Sequence, residues 1–515
     1  FKSNIDDTGQ LANASGHTIN GDVTVERFIP VASEDTRAFR FLASAVNSND
    51  PIRANWQEGV NNTGTAFPAD NENPNPGYGT HITGSTTGSN GFDASISGNP
   101  SMYTFDNSFT GNQSNAWNAI PNTNSRKLNA GEAYRIFIRG DRGYDLSSDP
   151  VNAPNSDVTL RTTGSLVTGN QIETLSGEAG YYSMVGNPYQ ANVNINNITG
   201  SNFNTNAYYV WDPNKNTRGG YVTVQLPSGD PIGSSNANEF IQPGQSFFVR
   251  TINNGAADLT FSEAAKDVNA LPTEVFSDND QTSINLLLYT DQALNNNDSE
   301  VDALGINFNP NGNNGVDQMD AGKMGNPDEN LARLNNGNYI SIENRATPVE
   351  GESLELFTVG YTGNNYTFVA NVSNLPDNVD AYLVDNYTDD QTLLSDGANQ
   401  ISFTVDPNIP ENIATDRFSI DFEVETFSVD DDELADGFTV YPNPVTDEQV
   451  NIVSSDRSGE ANVSLYNMVG QRVLKTKGNF KTGKMTLDLG NKQAGVYFLE
   501  VTQNEETIKK RLIIK

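Results

Sequence analysis

With 515 residues, 35% hydrophobic and 18% charged positions, 44 Gly and 23 Pro, the chain has room for roughly three to four domains of about 150 residues and reads as all-β and turn-rich rather than disordered. Its 30 Lys and Arg stand against 65 Asp and Glu, a formal charge of −35 that repels phosphate backbones and anionic lipid and so argues against nucleic-acid partners. No Cys is present and the only histidines are His17 and His81, which leaves no material for disulfides, thiolate nucleophiles, Cys-based zinc or a His pair on a metal.

The chain begins at Phe1 without an initiator Met and is read as a processed chain or the C-terminal piece of a longer one. No run of about eighteen apolar residues offers a transmembrane helix. Residues 1–20 read as the end of a preceding module. Beyond them, short alternating runs such as "DVTVERFIP" (Asp22 to Pro30) and "AYRIFIRG" (Ala133 to Gly140) are parted by Gly, Asn, Asp and Pro clusters, the pattern of β-sandwiches. Two modules, 21–150 and 151–270, are expected to be related by duplication. Gly131-Glu-Ala-Tyr-Arg-Ile answers Gly244-Gln-Ser-Phe-Phe-Val, in each case a Gly turn opening an aromatic strand. His81, among the turn residues of "GYGTHITG", reads as structural.

Residues 278–425 suit one immunoglobulin-like or jelly-roll sandwich. "TFSVDDDELADG", residues 426–437, has little to bury and reads as an extended, protease-accessible acidic linker. At Phe438 the charge balance changes sign: residues 438–515 hold 11 Lys and Arg against 8 Asp and Glu, where the preceding residues hold 19 against 57. This last stretch reads as a small Ig-like sandwich of its own, so the fold class expected is all-β, tandem β-sandwich modules ending in a small one.

"YPNPVTDEQVNI" (Tyr441 to Ile452), "VSLYNMVGQRVLK" (Val463 to Lys475), "AGVYFLEV" (Ala494 to Val501) and the terminal "KKRLIIK" resemble, in order and spacing, the type A C-terminal sorting domain of type IX secretion system cargo. The resemblance implies a sorting signal carried by Tyr441, Pro442, Asn443, Pro444, Gly470, Gly495, Val496, Tyr497, Lys509, Lys510, Arg511 and Lys515. It also implies passage across the outer membrane to the cell surface or extracellular space. The implied partners are the translocon, a shuttle or receptor protein, and a sortase-like protease cutting among Asp430, Asp431, Asp432, Glu433, Asp436 and Gly437. Physically, a receptor can read such a module by pairing with an exposed edge strand, for which Lys509 to Lys515 offers backbone donors and a cationic rim. Upstream, "RAFRFLASAV", "NWQEG", "GYGTHITG", "VGNPY" and "YVWDP" resemble a non-catalytic β region that precedes such domains in large bacterial cell-surface proteins.

Chemistry is sparse. "DPNKNTRGG" and "NPNGNNGVDQMDAGK" space Asn and Asp before a Gly, so Asp212, Asp317 and Asp320 are calcium candidates, with Asx turns as the competing reading and no other cofactor indicated. Trp56, Trp117 and Trp211, with Tyr208 and Tyr209, either stack on surface glycans or pack a core. No phosphate-binding loop, nucleophile elbow or metalloprotease helix occurs, and no carboxylate pair stands out. The chain is therefore expected to be a stalk, adhesin or scaffold rather than an enzyme; the alternative is a secreted glycan-active enzyme whose catalytic part lies upstream or unrecognised in 21–425.

Overall fold

The computed structural model describes residues 1–31, 38–59, 75–143, 146, 155–215, 218–268, 282–310, 312–376, 378–424, 438–446, 448–454, 457–468, 471–490, 492–503 and 506–515. The protein is all-β. Among the described residues the only α-helix is Asp291–Asn296, and no helix is long and apolar enough to cross a membrane. Two compact units divide the chain, Phe1–Val424 and Glu425–Lys515.

In the first unit, the alternation of Ala133–Ile138 turns Tyr134, Ile136 and Ile138 into a core. This strand lies in a four-stranded sheet ordered Ala38–Ala43, Ala133–Ile138, Met102–Phe105, Trp117–Ala119. A three-stranded sheet, Asp22–Ile29, Val158–Leu166 and Val46–Asn47, faces it across a core that includes Ile29, Leu42, Trp56, Met102 and Leu160. Beside that core, Arg142 pairs with Asp93, which also accepts from the Ile82 amide at 2.9 Å. Burial raises the Asp93 carboxyl, but Arg142 and His81 outweigh it and hold it at about 2.

A second sandwich repeats the plan. Its four-stranded sheet is ordered Tyr182–Gly186, Ser246–Arg250, Ala207–Asp212, Gly220–Gln225, and its three-stranded sheet is Gln171–Thr174, Asp258–Phe261 and Thr199–Ser201. Val185, Tyr208, Val224, Phe247 and Phe261 fill the space between. The two four-stranded sheets also bury their outer faces against each other, gathering Phe41, Met184, Tyr209, Trp211 and Phe248 into a shared aromatic core. At this joint the backbone pairs reciprocally. The Ala43 amide donates to the Gly244 carbonyl at 2.9 Å, and the Gly186 amide to the Gly131 carbonyl at 3.2 Å. Gly131 and Gly244 both take positive φ, 79° and 72°. Gly186 is required by proximity, since a Cβ there would lie 2.6 Å from both the Ala43 methyl and the Gly131 oxygen.

The third sandwich is one long curled sheet. It runs Asp390–Leu393, Val379–Asp385, Phe418–Val424, Ser353–Val359, Asn330–Asn335, Asn338–Arg345, Asp302–Phe308, Thr282–Thr290, Asn365–Ser373, Gly397–Thr404, with Ala321–Gly322 added against Asn338–Arg345. Phe403, from one end, lies 4.8 Å from Phe418 near the other, so the sheet folds over onto a single core. It docks on the second sandwich through polar contacts, among them Thr223 to Ser341 at 2.8 Å, the Tyr221 amide to Asn326 at 2.8 Å and a buried Lys215–Glu300 pair. Residues 1–20 run along the first two sandwiches: the Leu11 amide donates to Gln190 O at 2.6 Å and the Ala14 amide to Glu263 at 2.8 Å.

Among its described residues the second unit is an Ig-like sandwich of seven strands. Phe438–Tyr441, Gln449–Ser454 and Lys484–Asp488 form one sheet; Arg472–Phe480, Gly459–Asn467, Gly495–Gln503 and Glu506–Ile514 form the other. Val450, Ile452, Val463, Leu465, Leu487, Leu499 and Leu512 lie in its core, each at most 4% exposed, so this small sandwich has an apolar centre of its own.

Candidate functional site

In the second unit the motifs from its two ends meet. Strand Glu506–Ile514 is hydrogen-bonded along one edge to Gly495–Gln503. Its other edge receives the segment around Asn443. Asn443 Nδ2 donates to the Arg511 carbonyl at 2.8 Å, and Asn443 Oδ1 accepts from the Ile513 amide at 2.8 Å. Next, the Val445 amide donates to Ile513 O at 2.7 Å and the Lys515 amide to Val445 O at 3.0 Å. The sequence explains the device. Pro442 and Pro444 have no N–H to give, and the short side chain of Asn443 carries both an amide donor and an amide acceptor, so it stands in for a peptide unit. Val445 is fully buried and seats the segment in the core, a role that sequence reading had missed.

The edge expected to be open over Lys509 to Lys515 is thus closed from the Arg511 carbonyl onward. What stays outward is charge. Lys509, Arg511 and Lys515 are exposed, and Lys510 is half-buried. Register aligns Lys475, Ser464, Glu500 and Lys509 across the outer face, where Glu500 meets Lys509 at 3.9 Å and Tyr466 Oη at 3.4 Å. Tyr441, Pro442, Asn443 and Pro444 are exposed. Gly495 is exposed and Val496 half-buried, whereas Tyr497 is buried with its hydroxyl on the Gln493 carbonyl at 2.8 Å. Gly470 and the expected cleavage residues Asp430, Asp431, Asp432, Glu433, Asp436 and Gly437 lie outside the described residues.

The calcium candidates are engaged by neighbouring protein groups. Asp212 accepts from the Asn214 amide at 2.9 Å and from Ser235 Oγ at 2.7 Å. Asp317 accepts from the Met319 amide at 2.8 Å, and Asp320 from the amides of Asp317 and Asn344, both at 2.8 Å. The bonds from the Asn214, Met319 and Asp317 amides close turns, whereas Ser235 and Asn344 come from other segments. Burial pushes the Asp320 carboxyl up to about 6. Among the described residues no group of three or more His, Asp or Glu is arranged to hold a metal ion.

Of the five aromatics singled out, Trp56, Tyr208 and Tyr209 are core residues at no more than 3% exposure. Trp211 is buried in the joint between the first two sandwiches, and Trp117 is half-buried at its margin. Around Trp117 stand Phe41 at 6.0 Å, Phe105 at 4.9 Å and Phe248 at 6.0 Å, with the Arg135 guanidinium 5.2 Å from the Trp117 ring centroid. Sequence reading had passed over Arg135. The available signal was its place in "AYRIFI", an Arg amid an apolar run.

Comparison with known proteins places the C-terminal unit. Residues 439–515 match the secretion system C-terminal sorting domain. No protein of curated function matches the sequence. Among solved structures, dimeric latent PorU from Porphyromonas gingivalis is similar at 12% identity and a TM-score of 0.13; the alignment covers 72% of this chain and 36% of that one. Salmonella alpha-2-macroglobulin reacted with methylamine follows at 10% identity and a TM-score of 0.15, covering 62% of this chain and 26% of that one. A tetra-tandem repeat in the extending region of a large adhesion protein has 11% identity and a TM-score of 0.12, covering 68% and 95%. At these scores none of the three shares a demonstrable fold with the chain.

Proposed function

We propose that residues 1–424 act outside the cell as a stalk, adhesin or scaffold, carried there by the sorting domain and displayed or released once it has served. The premise is the C-terminal unit: a sorting tail of this family marks its chain as type IX cargo, exported across the outer membrane to the cell surface or extracellular space. One observation favours the structural role. The three upstream sandwiches are joined through buried aromatic and polar contacts instead of lying apart as separate modules. Such a body transmits load and holds a surface in fixed orientation. The reciprocal turns at Gly131 and Gly244 support reading the first two sandwiches as a duplication.

In this reading the sorting signal is composite. Asn443 and Val445 at one end and Arg511 to Lys515 at the other form one cationic corner, and the translocon and its receptor protein read that corner rather than a bare strand edge. A sortase-like protease then cuts within Asp430 to Gly437. Cell fractionation tests the proposal. A chain lacking residues 438–515 is expected to stay inside the outer membrane; appearance at the surface in undiminished amount overturns it. Mass spectrometry of the surface form is expected to show a C-terminus between residues 430 and 437. Release of reducing ends from a polysaccharide by the purified protein would replace the adhesin reading with that of a glycan-active enzyme.

A further inference from the structure

Several enclosed guanidinium groups in the first unit find carboxylates: Arg142 pairs with Asp93, Arg333 with Glu343, Arg345 with Glu352 and Arg417 with Asp385. Arg27 and Arg40 instead donate to neutral oxygens, of Gln242 and of the Phe39 and Pro30 carbonyls. Arg135 does neither. It points from strand Ala133–Ile138 into the margin of the joint between the first two sandwiches, its Cζ 3.8 Å from the Phe39 ring centroid, 5.2 Å from that of Trp117 and 5.8 Å from that of Trp211. Its Nε is enclosed with no hydrogen-bond partner, and the side chain makes no hydrogen bond or ion pair among the described residues. The residue as a whole is half-buried, as are the neighbouring rings of Tyr103, Trp117 and Tyr221.

Counting from the two Gly turns, Arg135 occupies the place that Phe248 holds in the second sandwich: it pairs in register with Phe41, as Phe248 does with Met184. Phe248 is completely buried. The corresponding place in the second sandwich thus holds an apolar residue, whereas Arg135 stands in this one at a cost in desolvation, seen as a pKa lowered by burial. The ring of Phe39 offsets part of that cost, since the face of an aromatic ring attracts a cation. Its two terminal nitrogens, unlike Nε, are not among the enclosed atoms without a partner.

We propose that Arg135 and the rings around it form a binding site for an acidic sugar, the carboxylate of a uronic acid pairing with the guanidinium while the apolar face of its ring lies on Trp117 or Tyr103. Planar, two-pronged recognition of a carboxylate is what a guanidinium does best, and a rigid aromatic wall with one charged group is the composition of a selective small-ligand site. Loose capture of anions is ruled against by the formal charge of −35, so only a ligand that pairs with Arg135 itself overcomes the general repulsion. The inference deepens the adhesin reading and rests on it for its setting at the cell surface.

Calorimetric titration of the full chain decides it, with tetragalacturonate as the acidic probe, the neutral galactose tetramer of the same linkage as one control and tetraglutamate as the other. Tetragalacturonate is expected to bind about tenfold or more tightly than either control. Arg135→Gln is expected to remove that preference, Arg135→Lys to recover part of it, and Trp117→Ala to weaken the acidic probe while leaving Arg135 in place. Equal binding of the neutral tetramer, equal binding of tetraglutamate, or an Arg135→Gln protein that binds as the parent does would each overturn the proposal. Thermal unfolding supplies the second readout. If Arg135 serves a ligand, Arg135→Gln leaves Tm unchanged or raises it; a fall of about 5 °C or more with no binding by the parent assigns Arg135 to holding the joint and sinks the site. None of these results bears on export or display, which the deletion of 438–515 tests separately.

Discussion

The two units of this protein solve the same problem in opposite ways. In residues 1–424 a strand such as Ala133–Ile138 is buried on one face by its own sandwich and partly covered on the other by a neighbour. The sandwich of residues 438–515 closes on itself: its first motif, around Asn443 and Val445, seals the edge of its last strand. Joints between modules therefore carry the first unit, and a clasp between chain segments carries the second. A large acidic body and a small module of net charge +3 can then keep separate stabilities and separate roles.

That contrast is easiest to break at the boundary. Calorimetry of the full chain is expected to show two transitions, and residues 1–424 alone should retain the first unchanged, while export is lost; a single transition for the whole chain would erase the distinction. Next in size is the joint. Gly186→Val drives a side chain into Ala43 and the Gly131 carbonyl and is expected to cost about 3 kcal/mol, read in the first transition only. Smaller again is the clasp. Asn443→Ala removes two hydrogen bonds of about 0.5–1.5 kcal/mol each, in the second transition only, and should lower export in step. Asn443→Asp should keep the bond from the Ile513 amide but set a carboxylate oxygen, with no hydrogen to give, against the Arg511 carbonyl, so it too is expected to lower the second transition.

The smallest effect depends on pH. Burial, and then Glu132 of the first sandwich, push the Glu173 carboxyl of the second up to about 7. Its folded form holds a proton that the unfolded chain gives up near pH 4.3, so this carboxyl contributes stability at low pH that is lost as pH rises toward 7. Glu173→Gln is expected to melt above the parent at pH 8 and level with it at pH 4; the same gap at both values would sink the assignment.

Much of the architecture was legible. Alternation in "AYRIFI" gave a strand and its inward residues, because period two is imposed by the pleat. The order of "YPNPV" and "KKRLIIK" located the terminal module. Alternation names faces without saying what covers them, however. Trp56 and Trp117 looked alike in sequence, yet one lies in a core and the other at the margin of a joint. Asp317 and Asp320 have calcium-like spacing, but spacing does not say that the amides of Met319 and Asn344 bond to them. Nor does spacing reveal that a side chain at 443 completes the edge of a strand 70 residues later, since the pairing exists only after folding.

The clasp also bears on cooperativity. Ile513 and Lys515 supply backbone groups without which Asn443 and Val445 have nothing to grip. Neither margin of the small sandwich can then fray alone: loosening the segment around Asn443 strips the last strand of its cover, and loosening that strand frees Asn443. The two melt together, as one unit.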